Sequence, residues 1–435
     1  MINHRRVLAI AIPMILSGMT IPLAGMVDTA VMGHLDDARY LAAVALASSL
    51  FAFLFMVFNF LRMGVTGRAA QFSGAADDAA LARLLLQGLV IAWVIGLALI
   101  LLQTPLARAG LGLMGASPLV EPEAQRYFAI RIYGAPFLLG IYVLTGWFIG
   151  VQQPRRVLAL LLLSNGLNAL LDLLFVPLLG MRADGVALAT VLAEVTAFSF
   201  GCWLLLRQRG MGARLWRIGR LFAPGEARQL LQLNRDLFLR TIALMIVFTF
   251  FTAQGARQGD LILAANAILL NMFVLAAYGL DGFAYAAEAL VGHALGDRNA
   301  PALRRALRLT ASWSLMQALL IAFVFIVIGG WWIDLLTSLG EIRELARDYL
   351  PWVIALPLVA FAAFWLDGVF VGATLSADMR NTMLLSTTLF FAAWWLLLPL
   401  GNHGLWLAML LFFALRGVLL GFRLRRHYLQ WRELA

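Results

Sequence analysis

Residues 8–33 read LAIAIPMILSGMTIPLAGMVDTAVMG, a run that carries a single charge, Asp28, and two prolines, Pro13 and Pro22. A helix crossing the roughly 30 Å hydrocarbon core of a bilayer needs about 20 mostly apolar residues, so this stretch has length to spare. It also runs well past the apolar core of a secretory signal, and no small-residue cleavage site follows a short one, so no cleavable leader is expected. Each proline removes a backbone donor and crowds the preceding turn. The helix is therefore expected to bend near its middle, with an acid in its second half.

Working outward, the sequence holds eleven further runs of this kind, at about 41–70, 82–103, 124–151, 156–180, 185–206, 231–255, 261–292, 306–330, 345–373, 381–401 and 403–422, the last two parted only by the Gly401–Gly404 stretch. The whole composition agrees. Of 435 residues 63% are hydrophobic and 13% charged, with mean hydropathy +0.88, against about 45–50% and 25% in soluble domains. The predicted fold class is an all-α polytopic membrane protein with twelve transmembrane helices.

An even number of spans puts both termini on one side, and arginine says which. Twenty-one arginines fall in or beside one alternating set of connections, including Arg5 and Arg6, Arg155 and Arg156, and the six from Arg207 to Arg228. Seven fall in the other, among them Arg39, Arg108 and Arg182. Cytoplasmic loops carry the basic excess, so both termini are expected in the cytoplasm.

Several function classes drop out. The formal net charge is +10, but all 33 basic residues are arginines spread between apolar runs, not gathered into the aromatic-interleaved patch that nucleic acid needs. With no lysine there is no phosphate loop ending in Lys-Ser/Thr, so no nucleotide is expected to drive the chain. His4, His34, His293, His403 and His427 lie scattered without metal-ligand spacing. No nucleophile elbow is present. Cys202 is alone in an apolar run and reads as an inert buried thiol. No enzyme activity and no cofactor are expected.

The chain repeats itself at a constant offset of 222 residues. Leu41-Ala42-Ala43 lies over Leu263-Ala264-Ala265, Gly74 over Gly296, Ala124 and Tyr127 over Ala346 and Tyr349, Gly146, Phe148 and Gly150 over Gly368, Phe370 and Gly372, and Pro177 over Pro399. Each half holds six spans and so returns to its starting side, a parallel repeat of the kind transporters use to rock two lobes about a central site. The expected division is a six-helix lobe at 1–206, a cytoplasmic linker at 207–230 containing Gly210, Gly212, Pro224 and Gly225, and a six-helix lobe at 231–435.

An ionisable residue in a span costs about 2.5–3.5 kcal/mol on insertion scales, which marks it as a functional candidate. Asp28 is the first. In the fifth span Asn168 and Asp172 share a helical face, with Asn165 one turn behind. Carboxylates from two helices, with amide and hydroxyl oxygens nearby, suit one or two protons or a small hard cation such as sodium, without choosing between them. In the second half Asp281 and Glu288 share one face of the eighth span and Asp367 lies in the tenth, candidates for a second cavity. Satisfied structural ion pairs are the competing reading for all five acids.

The stretch Ala11-Ile12-Pro13-Met14-Ile15, then Met26-Val27-Asp28-Thr29-Ala30-Val31-Met32-Gly33, then a fifth-span Asn-x-x-x-Asp resembles the multidrug and toxic compound extrusion (MATE) family over essentially the whole chain. Residues 280–289, LDGFAYAAEA, look like its DNA-damage-inducible (DinF) branch. The resemblance implies a V-shaped pair of six-helix lobes in the bacterial inner membrane. It implies a monomer surrounded by lipid, exporting small organic, often cationic, compounds in exchange for protons or sodium ions. It places the coupling site on Asp28, Asn168, Asp172 and Thr190 and the helix-bending proline on Pro13; the second-half acids differ from those of other branches. The main alternative is a flippase for lipid-linked sugars. Such a protein is expected to hold its pyrophosphate with many cationic residues in the cavity, whereas few arginines lie within these spans.

Overall fold

The computed structural model describes residues 2–33, 38–115, 117–208, 210–216, 221–222 and 225–433. Of the residues used in reading the sequence, His34, Arg209, Arg217, Arg220 and Pro224 lie outside these. The described residues form helices and no strands. In order these are α1 His4–Gly33, α2 Ala38–Val57, α3 Phe60–Gly74, α4 Asp78–Leu101, α5 Gln103–Leu113, α6 Glu121–Arg131, α7 Ala135–Gly150, α8 Pro154–Leu173, α9 Ala183–Leu206 and α10 Met211–Trp216. Then come α11 Glu226–Arg257, α12 Asp260–Gly296, α13 Ala300–Leu336, α14 Gly340–Gly372, α15 Ser376–Leu396 and α16 Gly401–Glu433.

Twelve spans result, because α2 and α3 form one span broken at Phe58–Asn59, and α6 and α7 form another broken by a 3-10 turn at Ile132–Gly134. Eleven of them are long and apolar enough to cross a membrane on length and composition alone. The twelfth, α15, has 21 residues and opens on the polar run Ser376, Asp378, Arg380, Asn381 and Thr382. The turn between the last two spans falls earlier than Gly401–Gly404. Leu398–Leu400 make a 3-10 turn around Pro399 and Gly401 takes φ 56°, a left-handed backbone that glycine adopts without a Cβ penalty.

Contacts divide the chain into two compact units, Leu16–Gln229 and Met1–Ile15 with Leu230–Ala435. The division falls inside α1, two residues after Pro13. The start of α1 belongs with the C-terminal unit for a local reason. Trp313 Nε1 donates to His4 Nδ1 at 3.1 Å, and Gly282 leaves the space that Ile15 and the Ala11 carbonyl fill.

Internally the two units repeat at the offset read from the sequence. Non-glycine residues with positive φ are uncommon, and the described chain has four, as two pairs 222 apart: Ala76 at 54° with Arg298 at 49°, and Gln152 at 59° with Thr374 at 58°. Asp77 caps α4 by accepting from Ala80 N at 2.9 Å, and Asn299 caps α13 by accepting from Ala302 N at 2.9 Å. A Cβ on Gly150 would lie 2.7 Å from the Thr66 carbonyl, and one on Gly372 would lie 2.5 Å from the Glu288 carbonyl, again the same pair moved by 222. Lipid supplies no hydrophobic drive between helices, so close backbone approach through small residues is what holds them. These glycines let α7 meet α3 and α14 meet α12.

The C-terminal unit adds a polar staple to an aromatic core of Phe251, Phe273, Phe390, Trp406, Phe412 and Phe413. Asn266 and Asn402 exchange hydrogen bonds at 2.8 and 2.9 Å, and Trp406 Nε1 donates to Asn266 Oδ1 at 2.9 Å, all buried. Asn402→Leu strips Asn266 of an acceptor and a donor in a dry place, which costs about 1–3 kcal/mol. A lowered thermal midpoint of the detergent-solubilised protein is the expected result; an unchanged midpoint counts against the staple.

Candidate functional site

The sequence-chosen residues of the first half meet. Asn168 and Asp172 sit one turn apart on α8, and Asn168 Nδ2 donates to Asp172 Oδ2 at 3.0 Å and to Thr190 Oγ1, on α9, at 3.3 Å. Both N–H groups of the amide are thus engaged. Thr190 in turn donates to the Val186 carbonyl at 2.9 Å, so its oxygen is held as an acceptor. One turn back, Asn165 Nδ2 donates to Thr20 Oγ1 at 2.6 Å and ties α8 to α1.

The α1 acid completes the group. Asp28 lies close enough to Asp172 for the two side chains to interact directly. Two carboxyl groups this close favour a proton or a cation between them, because ionised carboxylates offer acceptors alone and repel each other. Oδ1 of each acid is buried without a hydrogen-bond partner among the described residues, and Asp172 is wholly buried. The group therefore offers oxygen ligands only, two of them unengaged, which fits a proton or a small hard cation and not a softer transition metal.

Two charged residues that the sequence reading passed over stand beside it. Arg131 at the end of α6 forms a bidentate pair with Glu194 of α9, NH1 to Oε2 at 2.8 Å and NH2 to Oε1 at 2.6 Å, with both side chains buried. The guanidinium also lies over the rings of Phe51 and Phe55, 5.3 and 5.8 Å from their centroids. Its charge reaches Asp28. The pair fits only because Gly134 has no side chain, since a Cβ there would collide with both groups. Their signal was present in the sequence: each is a charge within a predicted span, at 124–151 and 185–206.

The second unit does not repeat the site. The 222 offset carries Asp28, Asn168, Asp172 and Thr190 onto Phe250, Phe390, Trp394 and Phe412. Those four rings touch one another in a chain, Phe250 to Trp394 at 4.8 Å, Phe250 to Phe390 at 6.0 Å and Phe390 to Phe412 at 6.0 Å. Where the N-terminal unit has oxygens, the C-terminal unit has an aromatic core.

Of the second-half acids, Asp367 is held by two arginines. Arg416 NH2 donates to its Oδ2 at 2.5 Å and Arg240 NH2 reaches the same oxygen. Asp281 lies within electrostatic range of Arg416. Glu288 is two turns further along α12 and buried, at the position equivalent to Thr66. Spans thus hold more arginine than the sequence reading allowed, since Arg131, Arg240 and Arg416 all lie within them, though each is paired with an acid.

The comparisons agree with this architecture. The MatE family model matches residues 13–174 and again 237–396, once per half. DNA damage-inducible protein F of Escherichia coli (strain K12) is 43% identical over 432 residues, covering 98% of this chain and 92% of its own. A probable multidrug resistance protein NorM of Synechococcus sp. is 28% identical over 439 residues, covering 94% and 91%. Among solved structures, an outward-facing multidrug resistance MATE family transporter superposes with TM-score 0.87 at 19% identity, covering 99% and 97%.

Proposed function

The chain belongs to the MatE family of polytopic membrane transporters, and from that premise we propose that it is an antiporter. It exports organic, often cationic, compounds against an inward flow of protons or sodium ions bound at Asp28, Asn168, Asp172 and Thr190. One observation carries the reading: two neighbouring carboxyl groups from different helices inside the membrane-spanning part of the N-terminal unit, each with a buried oxygen that has no hydrogen-bond partner among the described residues. A buried charge that nothing neutralises is expensive, so the pair favours whichever occupant, proton or metal cation, removes it.

Occupancy then sets shape. Asp28 lies on the same helix as Pro13 and Pro22, and α1 is the helix inside which the two units divide. Neutralising Asp28 removes the penalty for drawing α1 against α8 and α9, and the helix bends at its prolines. The cavity of the N-terminal unit shrinks and bound compound leaves toward the periplasm. Losing the ion on the cytoplasmic side resets the cycle. A cationic compound and the coupling ion compete for one acid pair, which makes the exchange obligatory. The termini face the cytoplasm of a bacterial inner membrane, in keeping with the arginine bias.

Flux in proteoliposomes tests this. Compound-dependent ion movement is expected, and repeating the assay without sodium, then with the proton gradient collapsed, identifies the ion. Export that survives both treatments together sinks the antiport reading.

A further inference from the structure

The charge cluster of the C-terminal unit is incompletely used. Arg240 and Arg416 converge on a single oxygen, Oδ2 of Asp367, each through NH2 alone. Arg240 Nε is buried and has no hydrogen-bond partner among the described residues. A buried N–H left without an acceptor costs about 1–3 kcal/mol, so the cluster gains from an incoming oxygen. The Arg240 and Asp367 side chains keep 11% and 13% of their exposure well inside their helices. Partly exposed charge within a span faces a polar chamber, since lipid does not tolerate it. With Asp281 in range of Arg416, two acids balance two bases, so an arriving acid meets no excess negative charge.

Above the cluster stands an aromatic wall on the same helices. Phe364 lies one turn from Asp367 on α14, and Phe248 lies two turns from Arg240 on α11, about 12 Å along the axis. Phe364 stacks on Phe413 at 5.9 Å, Phe248 meets Phe413 at 6.5 Å, and Phe413 lies under the Arg416 guanidinium at 5.4 Å. Phe248 and Phe364 are only partly buried, so part of each ring stays uncovered although Phe248 stacks on Phe273 and Phe364 on Phe413. Where the offset puts Arg416, the N-terminal unit has the acid Glu194; the two units are opposite in charge at that position.

We propose that the C-terminal unit binds the acid group of aromatic carboxylates among the exported compounds, with Arg240 and Arg416 as anion contacts and Phe248 and Phe364 as ring contacts. The site then selects an acid whose ring lies one to two helical turns from the charge. This rests on the export reading above and extends it to substrate class.

The test uses the full-length protein in proteoliposomes with three probes: a fluorescent anthracene carboxylic acid, its neutral methyl amide, and the lipophilic cation ethidium. Wild type is expected to bind the acid saturably and export it in preference to the amide. Arg240→Gln is expected to lower the ratio of acid to ethidium export by about tenfold or more, the usual value of one charge-assisted hydrogen bond. Arg240→Lys keeps the charge but loses the Nε donor, so it reports the same shift if the glutamine variant does not fold. Phe364→Ala is expected to weaken acid and amide alike. Absence of saturable acid binding by wild type, or an unchanged ratio in the folded Arg240 variant, overturns the proposal. Asp28→Asn separates the two readings: if it leaves export of both probes intact while Arg240→Gln still shifts the ratio, ion coupling at Asp28 falls and the acid site stands.

Discussion

Asp28→Asn is expected to reach the membrane in normal amount and to lose concentrative export. The amide matches the carboxyl in size, so helix packing survives. It neither gains nor loses a proton near neutral pH and brings no charge to a cation, so the occupancy that separates the two shapes of α1 disappears. The loss is measurable in energy. One net elementary charge moving inward across 100 mV, as when two ions enter for each monovalent cation that leaves, supplies about 2.3 kcal/mol, a compound gradient of about fifty-fold. In vesicles with an imposed potential, the accumulation ratio should fall from that order to about one, with facilitated equilibration remaining. Accumulation at the wild-type level by a correctly assembled Asp28→Asn protein sinks the mechanism. Asp172→Asn should behave in the same way, because in the proposed cycle the two acids take up the ion together.

Arg131→Met should damage the N-terminal unit more than any other single change considered above. Its bidentate pair with Glu194 is buried on both sides, and removing one partner of such a pair costs about 3–5 kcal/mol because the other charge stays behind in a dry site. The aromatic rings of Phe51 and Phe55 keep their packing against the methionine, so the loss is electrostatic. The double change Arg131→Met with Glu194→Leu removes both charges, and apolar replacements of buried pairs are often neutral or stabilising. Thermal denaturation in detergent is expected to show a large drop for the single variant and recovery for the double. If the double variant is as unstable as the single, the pair is not the source of the cost. Export measured on the recovered double variant then shows whether the Arg131 charge that reaches Asp28 contributes to coupling beyond its structural part.

Much of the candidate site was legible before any coordinates because in-span polarity is a local signal. Asp28, Asn168 and Asp172 each stand out against apolar neighbours, and the four-residue spacing on α8 places two of them on one face. Thr190 was different. A threonine in a helix bonds back to the preceding turn, as Thr190 does to Val186, so its place came only through family resemblance. Arg131 and Glu194 are legible on the same rule as Asp28, each being a charge inside a predicted span, but their pairing with each other is not. Asp281, Glu288 and Asp367 stand out as acids within spans, yet nothing in the segment around Asp367 names its partners, Arg240 on α11 and Arg416 on α16.

By itself the sequence determined the membrane, the twelve spans and the duplication. These follow from sums over short segments: the apolar length that a bilayer demands, the insertion cost of each charge, and the Tyr, Gly and Pro positions that recur at 222. Only the tertiary structure decided which charges neutralise one another and that the two halves diverge at their centres, oxygens around Asp28 and Asp172 in one, rings around Phe250 and Trp394 in the other. Pairing depends on how far each helix is rotated and which helix lies beside it. Rotation and neighbourhood are set by close contacts such as Gly150 on Thr66 and Gly372 on Glu288, which act between segments far apart in the chain and leave no trace in the composition of either.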